Sequence, residues 1–346
     1  MTEVVALGDR LVGDGQPPYI VAEACINHGG DIAVARKMTY LAHAMGCNAI
    51  KFQMHVLDDE MLRETPQSAN FSDSLYDTLD ETNLKVSEHL EIKQLCDELG
   101  ITYLCTPFSK ASADLVDEIG VVAFKTGSGE LTNLPLLRHI ASKGRPMIIS
   151  TGMSLLEEVS EAVETVKAAG VPIILTHCVS AYPCPYNRVN LGNIQKYRDL
   201  FDVPVGLSDH SIGIYTSLGA VALGACFIEK HFSLDRTLPG PDHKSSIEPY
   251  EFGELVKGAR AVFEASGTER AIFPEEQEIV AWARESVVSI RPIAKGNTIT
   301  EDMVSVKRPS PGDGVVPAKC LDAVIGRTAK VDIAVDSQIR WVDLSK

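Results

Sequence analysis

Eight short apolar runs recur along residues 19–232, and nearly every one ends in a polar, chemically capable residue. They span 19–25, 48–53, 102–108, 123–128, 146–151, 172–180, 203–209 and 226–232. Between them the spacing turns helical. In 32–45, Val34, Met38, Leu41, Ala42 and Met45 return about every 3.6 residues. Segment 86–99 places Leu90, Ile92, Leu95 and Leu99 on one side. Segment 155–169 follows Ser154, with Glu157 three residues on, the spacing of a capping box. Segment 248–265 reads as the helix after the last run. Eightfold strand–helix alternation predicts a parallel sheet buried on both faces, which explains uninterrupted runs such as Ile148-Ile149 and Ile173-Ile174-Leu175. The predicted fold is α/β: a closed (β/α)₈ TIM barrel, which collects its functional groups at the carboxyl ends of the strands. An open doubly wound sheet is the competing solution. The count of eight and the missing nucleotide-binding glycine fingerprint favour closure.

A chain of 346 residues has room for a second, smaller domain. The predicted barrel domain covers 1–268, a polar connector 269–285 and a small β-rich domain 286–346. The last part is rich in glycine, proline and β-branched residues. It carries a faint echo, Ile293-Ala294-Lys295-Gly296-Asn297-Thr298-Ile299 against Ile333-Ala334-Val335-Asp336-Ser337-Gln338-Ile339. Segment 54–83, directly after the second run, is long, acidic and poorly periodic. Such a loop on the active-site side is expected to form a lid or a substrate wall.

A net charge of −15 argues against a nucleic-acid partner, which would need a basic face. The longest apolar stretches, such as 219–228, fall far short of a membrane span. The opening Met-Thr-Glu-Val-Val-Ala lacks the basic and apolar regions of a signal peptide, so a cytoplasmic location is expected. Eight cysteines without CxxC spacing read as buried free thiols. Cys184, in Tyr-Pro-Cys-Pro-Tyr, is the one whose exposure is worth checking.

Glu23, Asn27, Lys51, Gln53, Thr106, Lys125, Ser128, Asp209, His210, Lys230 and His231 stand at or just past the run ends. His210 and His231 follow neighbouring strands, where two imidazoles with Glu23 nearby suit a divalent transition metal. His28 and His243 fall on loops of the same face, whereas His177 is mid-strand and reads as packing. Lys51 and Lys125 inside a barrel must pair with an anion or lose their charge. With the Gly127-Ser128-Gly129 turn they suggest an anion pocket. A lysine Schiff base of the aldolase type is the rival use. Thr106, Ser150, Thr151, Ser180 and Ser208 are further hydroxyls at strand ends, each a candidate for a plain backbone hydrogen bond. Tyr182 can wall a sugar, and Asp242 suits polyol hydroxyls or a simple turn.

These residues fall into ordered motifs: Ala22-Glu23 with Ile26-Asn27-His28-Gly29-Gly30, Lys51-Phe52-Gln53, Thr106-Pro107-Phe108, Lys125 with Gly127-Ser128-Gly129-Glu130, Ser150-Thr151-Gly152-Met153, Tyr182-Pro183, Gly206-Leu207-Ser208-Asp209-His210, and Glu229-Lys230-His231-Phe232 with Gly240-Pro241-Asp242-His243. In that order they resemble the sialic acid synthases, which include N-acetylneuraminate, legionaminate and pseudaminate synthases and the related spore-coat polysaccharide protein. The tail resembles the antifreeze-like (SAF, β-clip) domain through Ala283-Arg284-Glu285-Ser286, Ile293-Ala294-Lys295-Gly296, Lys307-Arg308-Pro309 and Ile325-Gly326-Arg327. The resemblance implies a transferase that condenses phosphoenolpyruvate with an N-acylated amino-sugar aldehyde. N-acetylmannosamine or a 2,4-diacetamido-trideoxyhexose would be the acceptor, and a nonulosonic acid plus phosphate the products. It implies that His210 and His231 hold Mn²⁺, with Mg²⁺ or Co²⁺ as substitutes, and that Glu23 acts beside the attacking water. Lys51, Gln53, Thr106, Lys125, Ser128 and Ser208 would hold phosphoenolpyruvate. Asn27, Phe108, Glu130, Ser180, Tyr182 and Asp242 would complete the substrate site. Arg308 would come from the partner of a domain-swapped homodimer. The loop Ser180-Ala181-Tyr182 lacks the Asn that some neuraminate synthases place two residues before the tyrosine, which leaves the acceptor open. A non-catalytic sugar-binding protein would fit only if the intact site residues were idle.

Overall fold

The eight runs become eight parallel strands that close on themselves. The computed structural model describes residues 3–66 and 74–345. A short antiparallel hairpin, β1 (Val5–Leu7) and β2 (Arg10–Val12), comes first. The barrel follows as β3 (Tyr19–Glu23), β4 (Ala49–Met54), β5 (Thr102–Pro107), β6 (Phe124–Thr126), β7 (Met147–Ser150), β8 (Ile173–Cys178), β9 (Val205–Asp209) and β10 (Phe227–His231). Neighbours pair in chain order, and β10 returns to β3 with Phe227 opposite Tyr19 and His231 opposite Glu23.

Two-residue alternation decides which side chains see the interior. Ile20, Ala22, Ile50, Phe52, Ile149 and Ile228 face outward into the layer between strands and helices. Val21, Ala49, Leu104, Ala123, Ile148, Ile174 and Phe227 face inward with Val5, Leu7 and Val12 of the hairpin, which plugs the amino-terminal end. Two residues further along most of these strands, the same inward row turns polar: Glu23, Lys51, Thr106, Lys125, Ser150 and Glu229. The barrel thus has an apolar floor below a polar mouth. Gly206 belongs to this design, since a side chain there would run into Phe227.

Helices fill the connections, among them Ile32–Ala44, Val86–Leu99 and Pro249–Ala265. One start differs from expectation. The helix Leu156–Lys167 is capped at Leu155, whose N–H donates to Glu158 at 2.6 Å, so Ser154 and Glu157 are not its capping pair. Ser154 instead donates to the Gly152 carbonyl, the local bond that short hydroxyl residues often prefer. The acidic stretch after β4 contains the helices Leu57–Glu60 and Leu75–Thr82; its segment 67–73 lies outside the described residues.

A second compact unit comprises Thr268–Lys346, apart from Met1–Gly267. Its β11 (Ser286–Ser289) and β12 (Val304–Lys307) are antiparallel. The echoing segments face each other: Ile293 and Ile333 exchange backbone hydrogen bonds at 2.9 and 2.8 Å, and both sit in the unit's own apolar core. Residues 268–285 fall within this unit. They include the helix Gln277–Ala283, whose Ala281 carbonyl accepts from Ser310 N–H, while the Arg308 guanidinium lies 5.4 Å from the Trp282 ring centre. Cys184 is buried, and Cys320 is the one partly exposed cysteine. Among the described residues, no helix is long and apolar enough to cross a membrane.

Candidate active site

A cavity of about 630 Å³ opens at the carboxyl ends of the barrel strands. At its base lie four buried charges. The Lys51 ammonium contacts the Glu23 carboxylate, stands 3.6 Å from Glu229 Oε2, and donates to Thr106 Oγ1 at 2.9 Å. Lys125 Nζ is 3.8 Å from Glu229 Oε1 and donates to the Thr126 carbonyl. Ser208 Oγ donates to Glu229 at 2.9 Å. Charges out of water persist only when paired, and here two carboxylates meet two ammoniums.

The balance is uneven. Burial pushes Glu23 up to about 7, against the pull of Lys51. Burial would also raise Glu229, but Lys125 and Lys51 overcome it and hold its carboxyl below the usual range. For Lys51, Glu229 and Glu23 outweigh burial and keep the ammonium charged. Lys125 has fewer anions near it, and burial pulls it down.

Glu229 is one of the cavity residues not foreseen from sequence. It sits two residues before His231 on β10, hence on the same inward face, while Lys230 between them points outward. Lys230 is fully buried against the helix layer, 3.0 Å from Asp209 Oδ2, and donates to the Ser211 carbonyl. Thr216 and Ser217 donate to the same Asp209 carboxylate. Neither Lys230 nor Asp209 reaches the cavity, despite standing at strand ends. Asp209→Ala is expected to lower stability by about 3–5 kcal/mol, because it strands a buried ammonium. Urea unfolding checks this; an unchanged midpoint would contradict the pairing.

Above the base, hydroxyls gather on one wall. Ser128 Oγ donates to Ser150 Oγ at 3.1 Å and accepts from the Gly152 N–H. A side chain at Gly152 would press on the hydroxyls of Ser128 and Ser180, so glycine keeps this cradle open. Ser180 Oγ is buried with no hydrogen-bond partner. Cys178 joins this wall, its sulfur 3.5 Å from Ser128 Oγ. Burial works against its thiolate, yet His210 and the serines bring it down to about 7. Thr151, by contrast, spends its hydroxyl on the Thr176 carbonyl.

Next to it, with Cys178 Sγ 3.8 Å from His210 Nδ1, the wall turns aromatic and imidazole. The His210 and His231 ring centres are 5.2 Å apart, and Tyr182 covers both at 4.1 and 5.6 Å. The His210 Nδ1 edge is bonded to the Val179 carbonyl at 2.9 Å. His231 Nδ1 is buried without a hydrogen-bond partner, 4.0 Å from Asp242. Burial, then His210, hold His231 well below its ordinary range and therefore neutral. The neutral His231 imidazole beside a carboxylate and the Cys25 thiol is a donor set that fits a divalent ion. The three-donor cluster itself joins His231 to Cys25 and Asp242, whereas the sequence pointed to the two histidines alone.

Segment 54–66 and the helix Leu75–Thr82 supply the outer wall through His55, Glu60, Leu75 and Leu79. His55 stacks on Phe108 at 4.5 Å and bridges Glu60 to Gln53. His55 and Glu60 gave no periodic signal and were not foreseen. Glu130 lies nearby, and burial pushes it up to about 7 from the usual 4.5. A raised carboxyl binds its proton more tightly folded than unfolded, so stability is lost as pH rises from about 4.5 through 7. Glu130→Gln should therefore raise stability at pH 8 by about 1–3 kcal/mol, discounted for partial solvent access, with little change at pH 4. Melts at both pH values check the sign.

Asn27, His28 and His243 do not line the cavity. Asn27 donates to the Phe232 carbonyl and to Ser246 Oγ, tying the loop after β3 to the loop after β10. His28 Nδ1 accepts from Gly30, and the His243 Nδ1 edge is bonded to Ser233 Oγ at 2.7 Å. His177 is packed, as expected, with its Nε2 at the Val189 carbonyl. Arg308 is exposed on the second unit.

Residues 38–271 match the NeuB family and residues 284–345 the SAF domain. A protein of Methanocaldococcus jannaschii without assigned function is 39% identical over 99% of each chain. The N,N'-diacetyllegionaminic acid synthase of Legionella pneumophila is 36% identical over 96% of each chain. The crystal structure of N-acetylneuraminic acid synthetase from Leptospira borgpetersenii, in complex with citrate, superposes with a TM-score of 0.74 at 33% identity. It covers 81% of this chain and 96% of that one.

Proposed function

The chain belongs to the NeuB family, and from that premise we propose that it condenses phosphoenolpyruvate with an N-acylated amino-sugar aldehyde, releasing phosphate and a nonulosonic acid. The observation that carries this reading is the buried Glu23–Lys51–Glu229–Lys125 group set below a hydroxyl cradle and beside the paired His210 and His231 imidazoles. Phosphoenolpyruvate brings two anionic ends. Lys51 and Lys125 supply fixed positive charge for them, with Thr106, Gln53, Ser128 and Ser208 as donors. The hydroxyls of Ser128, Ser150 and Ser180 suit a phosphate, since charged acceptors draw the shortest hydrogen bonds.

In this scheme the methylene carbon of the donor attacks the aldehyde carbon, water adds to the enol-ether carbon, and its bond to the phosphate oxygen breaks. Glu23, near 7, can take the proton of that water and return it. His210 and His231, with Asp242 at hand, would hold a divalent cation, Mn²⁺ or else Mg²⁺ or Co²⁺. Such an ion acts as a Lewis acid on the aldehyde oxygen. Phe108, Tyr182 and Glu130 would face the sugar. Arg308 would reach the acceptor from the partner of a domain-swapped homodimer. Truncation after Glu285 is then expected to abolish turnover and leave a soluble barrel; a fully active truncation would remove Arg308 from the site.

The lowered Lys125 favours one rival, a Schiff-base aldolase. Borohydride with pyruvate separates the two: covalent trapping on Lys125 supports the aldolase, while its absence together with phosphate release supports condensation. N-acetylmannosamine and 2,4-diacetamido-2,4,6-trideoxymannose, run side by side, identify the acceptor.

A further inference from the structure

Cys25, in the turn two residues past β3, has a left-handed backbone, φ 46°. A side-chain-bearing residue holds that conformation at a cost of about 1–2 kcal/mol, whereas glycine adopts it freely. Strain of this kind persists where the surroundings require the side chain. The thiol is buried, lines the cavity, and shares a 4.8 Å cluster with a His231 nitrogen and an Asp242 carboxylate oxygen. No other trio of His, Cys, Asp or Glu donors gathers so closely among the described residues. His231 is only 7% exposed, and its unpartnered Nδ1 faces Asp242 across 4.0 Å. Packing alone, against Ile26, Leu57 and Leu79, would be an ordinary use of a buried cysteine. It does not explain a cysteine where glycine fits the backbone better.

We propose that Cys25 is a metal ligand, a sulfur donor that joins His231 and Asp242 and makes this a mixed nitrogen, oxygen and sulfur centre. The inference rests on the divalent-ion reading above. On binding, the S–H bond breaks, a sulfur–metal bond forms and the proton passes to buffer; no redox change is involved. A thiolate draws the site toward Co²⁺, Fe²⁺ and Zn²⁺ relative to Mn²⁺, which prefers oxygen.

Titration of the metal-free full chain with Co²⁺ alone tests this. Wild type should develop a near-ultraviolet sulfur-to-cobalt charge-transfer band and release an additional proton. Cys25→Ser and Cys25→Gly should show neither. Cys25→Gly relieves the left-handed backbone, so its melt reports an intact fold, and its cobalt Kd should rise at least about tenfold. Its preference for Co²⁺ over Mn²⁺ should shrink by a similar factor. Cobalt binding without the band, equally tight in all three proteins, overturns the proposal and leaves the divalent-ion reading standing. Failure of wild type to bind cobalt overturns both.

Discussion

Glu229→Gln is expected to lower stability by about 3–5 kcal/mol, because the substitution keeps the shape and removes a buried anion shared by two ammoniums. For a barrel of this size that is a fall of roughly 10 °C in Tm. The kinetic effect should be lopsided. Glu229 competes with an anionic substrate for Lys51 and Lys125, so the KM for phosphoenolpyruvate should hold or fall. Turnover should drop about 100-fold, since lysines no longer held in register misplace the bound donor. Thermal melts with steady-state phosphate release measure both effects. A variant as stable and as active as wild type would mean that the lysines are uncharged in the free enzyme.

His231→Ala should behave in the opposite way. His231 is neutral, and its Nδ1 bonds to nothing, so losing the ring sacrifices packing against Tyr182 and His210 but strands no charge. A change in Tm of only a few degrees is expected. Turnover should fall about 10³-fold or more, because losing several kcal/mol of Lewis-acid stabilisation multiplies tenfold per 1.4 kcal/mol. Bound metal, measured by elemental analysis, should fall with it. Full activity at wild-type metal content would take His231 out of the site.

The two variants also mark what could be read from sequence. The barrel was legible because its strands are buried on both faces and end abruptly in polar residues, a signal that survives without alignment. The same double burial hid the parity of each strand. In Glu229-Lys230-His231 all three residues look equally functional when both faces of the preceding run are apolar. Only the ladder to β3 and β9 shows that Glu229 and His231 turn inward and Lys230 outward. His231 as a ligand already implied Glu229 by the two-residue period, and two buried lysines asked for an anion; those clues pointed to it. The partners of Asn27 were hidden for another reason. A loop residue beside a functional strand end can bond across loops, and the positions of Phe232 and Ser246 are set by distant chain. His55 and Glu60 carry no periodic signal, and they reach the cavity through the way segment 54–66 folds over β4.

Phosphate release from phosphoenolpyruvate, followed with and without an amino-sugar acceptor and with and without EDTA, tests the central claim most directly. The account predicts release only when acceptor and divalent ion are both present, matched mole for mole by a new 2-keto acid. Release that ignores the acceptor, or an absence of release across the acceptors together with borohydride trapping of pyruvate, would contradict it.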